Sequence, residues 1–187
     1  MSRVLHERKT AYHAGTMSNV ELRVAAAHTP EEVWQGLNTP LLDEAVASRV
    51  YEDITVSYDR LGPEQRVQVG TAITFTPQLA AIKRILPRMF RGLASQGLGI
   101  DLGWRVDKLD EKAMARREVL ESARGNQGMI NQRVEVDGGT AFLVVEADLT
   151  LAIIGNMEDT EDKLLAEGVV KPAHRFVGFL PEILASA

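Results

Sequence analysis

The sequence predicts an α+β fold in which a curved antiparallel sheet of six to seven strands surrounds a long C-terminal helix. Three observations predict it. Segments of alternating apolar and polar residues succeed one another from Val20 to Ile153. Turn signals such as Leu61-Gly62-Pro63 and Asp137-Gly138-Gly139 separate neighbouring segments. Beyond them, Leu164, Leu165, Val169, Phe176, Val177, Leu180, Ile183 and Leu184 recur at helical spacing over more than one narrow stripe. A sheet of that length must curl, and its concave face needs cover. The helix expected from about residue 154 to 187, with or without a break, is the available cover.

In chain order, the first strand spans 19–27, where Val20, Leu22, Val24 and Ala26 alternate with Glu21 and Arg23. Thr29-Pro30-Glu31-Glu32 then reads as a helix start, with Thr29 as N-cap and the acids at the positive end of the dipole. Val33, Trp34 and Leu37 are its apolar face. Asn38-Thr39-Pro40 ends it and starts a second helix with Leu41, Leu42, Ala45 and Val46 as apolar positions. Strand patterns follow over 50–60, 65–76, 97–108, 112–123, 128–136 and 140–153. The 112–123 segment is the weakest, because Arg116 and Glu118 sit between Met114 and Leu120. In 140–153, Leu143, Val145, Ala147, Leu149, Leu151 and Ile153 share the buried face, leaving Glu146, Asp148 and Thr150 on the wet one. Between the third and fourth strands, residues 78–95 predict an amphipathic helix. Ile82, Ile85, Leu86, Met89, Phe90 and Leu93 lie on one side, Lys83, Arg84, Arg88 and Arg91 on the other, and Pro87 divides it.

Composition bounds the function. The 187 residues are 45% apolar and 25% charged, ordinary for a globular protein. A net charge of −5 argues against nucleic acid as partner. The absence of cysteine excludes disulfides, thiolate catalysis and Cys-held metals, and fits a reducing, cytoplasmic setting. No apolar run approaches the roughly 20 residues of a membrane span. Residues 1–18, rich in charge, are expected to be an N-terminal extension rather than a signal, either a tail or an added edge strand, with the domain proper over 19–187.

The opening strand followed by Thr29-Pro30-Glu31-Glu32-Val33-Trp34, the long strand 140–153, Gly155 and the acidic start Glu158-Asp159-Glu161-Asp162 of the closing helix are similar to the START-like (SRPBCC) superfamily, and the order of elements resembles its helix-grip fold. The inserted 78–95 helix resembles a bacterial branch of it of unknown function. The likeness covers about residues 19–187, and Pro172 and Pro181 depart from an uninterrupted closing helix. The resemblance implies a cavity between sheet and closing helix that binds a hydrophobic or lipid-like small molecule. It admits two alternatives: an enzyme of the polyketide cyclase/aromatase type, with polar residues converging inside the cavity, or a ligand-free protein-interaction module with a filled core. It implies Phe75, Phe90, Leu102, Trp104, His174 and Phe176 as candidate ligand contacts. Aromatic residues at core positions also serve as plain packing.

The residues themselves show no catalytic signature, no cofactor motif and no metal-ligand spacing. The four histidines, His6, His13, His28 and His174, include no pair three or four apart. The basic side of 78–95 leaves two readings, a helix packed on the sheet edge or a lid touching an anionic membrane surface. Nothing in the sequence fixes the oligomeric state.

Overall fold

A computed structural model describes residues 18–86, 101–121, 126–151 and 158–186. It contains one seven-stranded antiparallel sheet in the order β1-β7-β6-β5-β4-β3-β2. The strands are β1 (Ser18–Ala26), β2 (Ile54–Asp59), β3 (Ala72–Pro77), β4 (Leu102–Asp110), β5 (Ala115–Glu121), β6 (Gln127–Asp137) and β7 (Thr140–Thr150). The helices are α1 (Pro30–Leu37), α2 (Glu44–Val50), α3 (Leu79–Ile85) and a closing run of α4 (Glu158–Leu165), α5 (Lys171–Gly178) and α6 (Leu180–Ala185). Between α4 and α5 lies a π-helical turn, Ala166–Val170.

The register defines the concave face, because directly paired residues point to the same side. Val24 opposes Leu143, Leu143 opposes Val134, Gln132 opposes Val145, and Glu118 opposes Ile130. Trp104 opposes both Ile73 and Leu120, and Phe75 opposes Leu102 and Val56. Leu143, Val145 and Leu149 are almost fully buried on this face, beneath Phe176, Leu180 and Ile183 of the closing helices. The 137–140 hairpin is as the sequence predicts: Gly138 and Gly139 take φ of +56° and +81°, which the type I′ turn demands and L-residues resist.

Helix α1 starts with a full capping box. Thr29 Oγ1 accepts from the Glu32 amide at 3.2 Å, and the Thr29 amide donates to Glu32 Oε2 at 2.9 Å. Helix α2 begins later than the apolar pattern suggests. Asp43 Oδ1 accepts from the Ala45 amide at 2.8 Å, so Asp43 is the cap, Leu41 and Leu42 precede the helix, and Leu42 is exposed. The predicted 65–76 strand is likewise shortened. Gly70 at φ +94° interrupts the extended run, leaving Val67 buried and Val69 exposed in a loop before β3.

The closing helix is broken where its prolines fall. Pro172 has no N–H to offer to the preceding turn, and the Lys171 amide bonds instead to the Ala166 carbonyl, five residues back. Phe179 leaves helical geometry just before Leu180-Pro181 opens α6. Glu161 anchors the run to the sheet edge: Oε1 accepts from the Leu151 amide at 2.6 Å and Oε2 from Ser18 Oγ at 3.4 Å.

The segment expected to be a helix over 78–95 is described as far as Leu86. Helix α3 buries Ala81, Ile82 and Ile85, and Leu86 is extended, as the residue before a proline prefers. Arg84 lies on the exposed face, as expected, and there bridges Asp53 at 2.8 Å and Glu167 at 3.1 Å, tying α3 to the closing helix. Pro87, Arg88, Met89, Phe90, Arg91 and Leu93 lie outside the described residues, as do residues 1–17. Among the described residues no helix is long and apolar enough to cross a membrane.

Helix α1 and the closing helix meet at Gly36. A Cβ there would stand 2.3 Å from Leu180 Cδ1 and 3.1 Å from Phe176 Cζ, and Leu180 is wholly buried. Gly36→Ala is therefore expected to destabilise the fold by about 1–3 kcal/mol through overpacking. Urea denaturation checks this, and an unchanged midpoint would show slack at the contact.

Candidate functional site

A cavity of about 60 Å³ lies between the concave face and the closing helix. One wall is apolar: Ile73 and Phe75 from β3, Val145 from β7, and Val169, Ala173 and Phe176 from the closing run. The π turn contributes Gly168 and Val169, so the irregular part of the closing helix borders the cavity. The other wall is polar: Thr39, Tyr51, Tyr58, Arg116, Glu118 and Gln132.

Arg116 and Glu118 sit two residues apart on β5, the middle strand of the sheet, and therefore share its concave face. Both side chains are buried, 7% and 3% exposed, in a setting where an unpaired charge would be very costly. The structure pairs them. Arg116 Nη2 is 2.8 Å from Glu118 Oε1. The guanidinium also donates to Gln132 Oε1, from Nε at 3.0 Å and from Nη2 at 2.6 Å, and from Nη1 to the Leu37 carbonyl at the end of α1. The fork of Arg116 is thus held on all sides, which fixes Glu118 facing the cavity.

Burial pushes the Glu118 carboxyl above the usual carboxylate range, and the neighbouring Arg116 charge only partly opposes it. Burial also raises Tyr51, with the charges of Tyr58 and Glu118 adding to the effect. Tyr58 is raised by burial too, against a backbone hydrogen bond from Leu41. Both phenols are therefore neutral at physiological pH. The Tyr51 ring packs on Phe75 with centroids 5.2 Å apart, joining the polar wall to the apolar one.

The raised carboxyl has a pH consequence. A Glu that is harder to ionise folded than unfolded contributes stability below its ordinary value of 4.5, and loses it as pH rises toward its folded value. Glu118→Gln removes that loss. Its melting temperature should rise relative to the parent between pH 4 and pH 7, and parallel profiles would contradict the raised carboxyl.

The residues expected from the sequence to line a ligand cavity divide. Phe75 and Phe176 line it. Leu102 and Trp104 share the concave face but lie outside the cavity. Leu102 is half-buried opposite Phe75, and the Trp104 ring fills the space over Gly128, where an added Cβ would lie 2.9 Å from it. His174 is exposed: Ala173 and Phe176, three apart, form the inner face of α5, and His174 falls on the outer side. Phe90 lies outside the described residues.

The sequence reading missed Tyr51, Tyr58, Arg116, Glu118 and Gln132. The available signal was opposite charges two apart on β5, on the same parity as Leu120, a pattern that places a charge pair on the sheet's apolar side. Glu146 and Asp148 do lie on the opposite, convex face, where Glu146 pairs with Arg133 at 2.5 Å. Burial raises Asp148, with a backbone hydrogen bond from Met129 opposing. Among the described residues no group of three His, Asp or Glu is placed to hold a metal ion.

No family model matches the sequence, and no curated protein sequence is similar to it. Solved structures are similar in fold. An aromatase/cyclase, Zhui, from a Streptomyces species superposes with a TM-score of 0.59 at 16% identity, covering 90% of this chain and 96% of its own. A Thalictrum flavum norcoclaurine synthase point mutant, in complex with a transition-state analogue, gives 0.59 at 11% identity, covering 91% and 98%. A Thermus thermophilus protein gives 0.57 at 10%, covering 90% and 99%. At these identities the likeness concerns the fold alone, a helix grip in which a curled seven-stranded antiparallel sheet is closed by a C-terminal helix.

Proposed function

We propose that this chain binds an amphipathic small molecule in the cavity between the sheet and the closing helix, with residues 19–187 as the binding unit. The observation that supports it is a buried Arg116–Glu118 ion pair facing a space walled on its other side by Phe75, Val145 and Phe176. A pair that only stabilised the fold would be an inefficient choice, since apolar residues of similar volume often do as well or better. In the helix-grip proteins of similar fold, the aromatase/cyclase and the norcoclaurine synthase, small molecules are handled, which favours the same use of this cavity. Lipid-like ligands and a membrane contact through 78–95 remain parts of this proposal. The engagement of Arg84 with Asp53 and Glu167 weighs against the membrane contact.

At about 60 Å³ the cavity has room for a few waters, each needing on the order of 10–15 Å³. A larger ligand must displace them and move a wall, and the π turn with Gly168 is the part of the wall not held by regular helical hydrogen bonds. Native mass spectrometry of protein from its own host should show a co-purifying small molecule. Ala173→Leu, which extends a buried side chain from α5 into the cavity, should abolish its retention with the fold intact. Undiminished retention would place the ligand elsewhere.

A cyclase-type catalyst is the second reading, favoured by one feature: the polar groups Glu118, Tyr51 and Tyr58 converge on the cavity. A carboxyl raised by burial beside neutral phenols is suited to holding and passing a proton. Under this reading Glu118→Gln keeps the ligand and stops its conversion. An interaction module is disfavoured, because among the described residues the exposed large apolar ones, Leu42, Val69, Leu79 and Val136, belong to different elements and loops.

A further inference from the structure

We infer that the cavity selects an uncharged ligand bearing a hydrogen-bonding oxygen, such as a phenol or ketone, and rejects a carboxylate of the same size. The inference rests on the cavity being a ligand site and specifies its chemistry. Among the described residues lining the cavity, the titratable groups are Arg116, Glu118, Tyr51 and Tyr58. Arg116 is the natural anchor for an anion, but its fork is already engaged: Nη2 and Nε by Glu118 and Gln132, Nη1 by the Leu37 carbonyl. No edge of the guanidinium is left for the bidentate grip that carboxylates favour. A carboxylate head beside the pair would bring a second negative charge close to Glu118 in a poorly screened interior, where like charges repel strongly.

The remaining polar atoms are suited to a neutral head. Tyr51 and Tyr58 keep their hydroxyl protons, and each hydroxyl donates or accepts as the partner requires. The polar wall is thus charge-balanced and offers neutral hydrogen bonds, while Phe75 and Phe176 take the apolar body. Carboxylate anions are excluded by this charge balance. Selection works through what the wrong ligand would leave unpaired.

Three small aromatic probes separate the possibilities: phenol, benzoate and toluene, titrated at pH 7 into the full chain and followed by protein NMR, with Glu118→Gln as the control for the larger size of benzoate. Phenol should bind about tenfold tighter than either of the others. In Glu118→Gln the Arg116 charge loses its partner, and benzoate should gain at least about tenfold relative to phenol. Benzoate binding as tightly as phenol to the parent protein, or toluene matching phenol, overturns the inference and leaves the cavity reading standing. An unchanged preference in folded Glu118→Gln also overturns it. If none of the three perturbs Phe75, Phe176 or Tyr51, the cavity reading itself falls. Should Glu118→Gln fail to fold, the comparison on the parent protein decides alone.

Discussion

A chain ending at residue 157 is expected to lose cooperative folding. The missing segment carries Leu164, Leu165, Val169, Phe176, Leu180 and Ile183, all buried against the concave face or helix α1. Six such side chains at roughly 1.5–3 kcal/mol each are together comparable to the whole stability of a domain, about 5–15 kcal/mol. The truncation also removes the Glu161 anchor that bonds the Leu151 amide and Ser18, and the Arg175–Glu52 ion pair at 2.5 Å. Circular dichroism should show strand content without a sharp melt, and a dye that binds exposed apolar surface should light up. A cooperative transition near that of the full chain would show that the sheet does not depend on this cover.

That dependence was legible because periodicity reports burial directly. The alternation in 140–153 and the helical repeat from Leu164 to Leu184 predicted which faces meet, and the register confirms it from Val24–Leu143 to Gln132–Val145. Boundaries were less legible, because they depend on single residues that periodicity ignores. Asp43 caps α2 and so moves Leu41 and Leu42 out of it, and Gly70 turns what looks like a continuous strand into a loop. The candidate site was legible in part. Phe75 and Phe176 were found because apolar residues on an inner face are what the pattern detects. Arg116 and Glu118 weaken the strand pattern of 112–123, since hydropathy scores a buried ion pair as surface. The parity shared with Leu120 hints that the charges point inward, and the pairing of Glu118 with Ile130 and Val106 shows it.

Arg116→Met should be the most damaging single substitution at the cavity. It removes the group that neutralises Glu118 and leaves Gln132 Oε1 and the Leu37 carbonyl without their donor. An uncompensated buried charge typically costs about 3–5 kcal/mol. In a chain of this size that lowers the melting temperature by roughly 10 °C. Part of the loss should be recovered at low pH, because Glu118 is already hard to ionise and takes up a proton readily once its partner is gone. The double variant Arg116→Met/Glu118→Met removes both charges and should be more stable than the single one, and near or above the parent. A thermodynamic cycle from urea denaturation of the four proteins gives the coupling. A single-variant cost within about 0.5 kcal/mol, the range of surface changes, would mean that the pair is solvated like a surface pair and that the cavity wall is not the buried, charge-balanced surface described. If the double variant is stable but no longer binds phenol, the pair is retained at the expense of stability and in the service of the ligand, as expected of a functional rather than a structural ion pair.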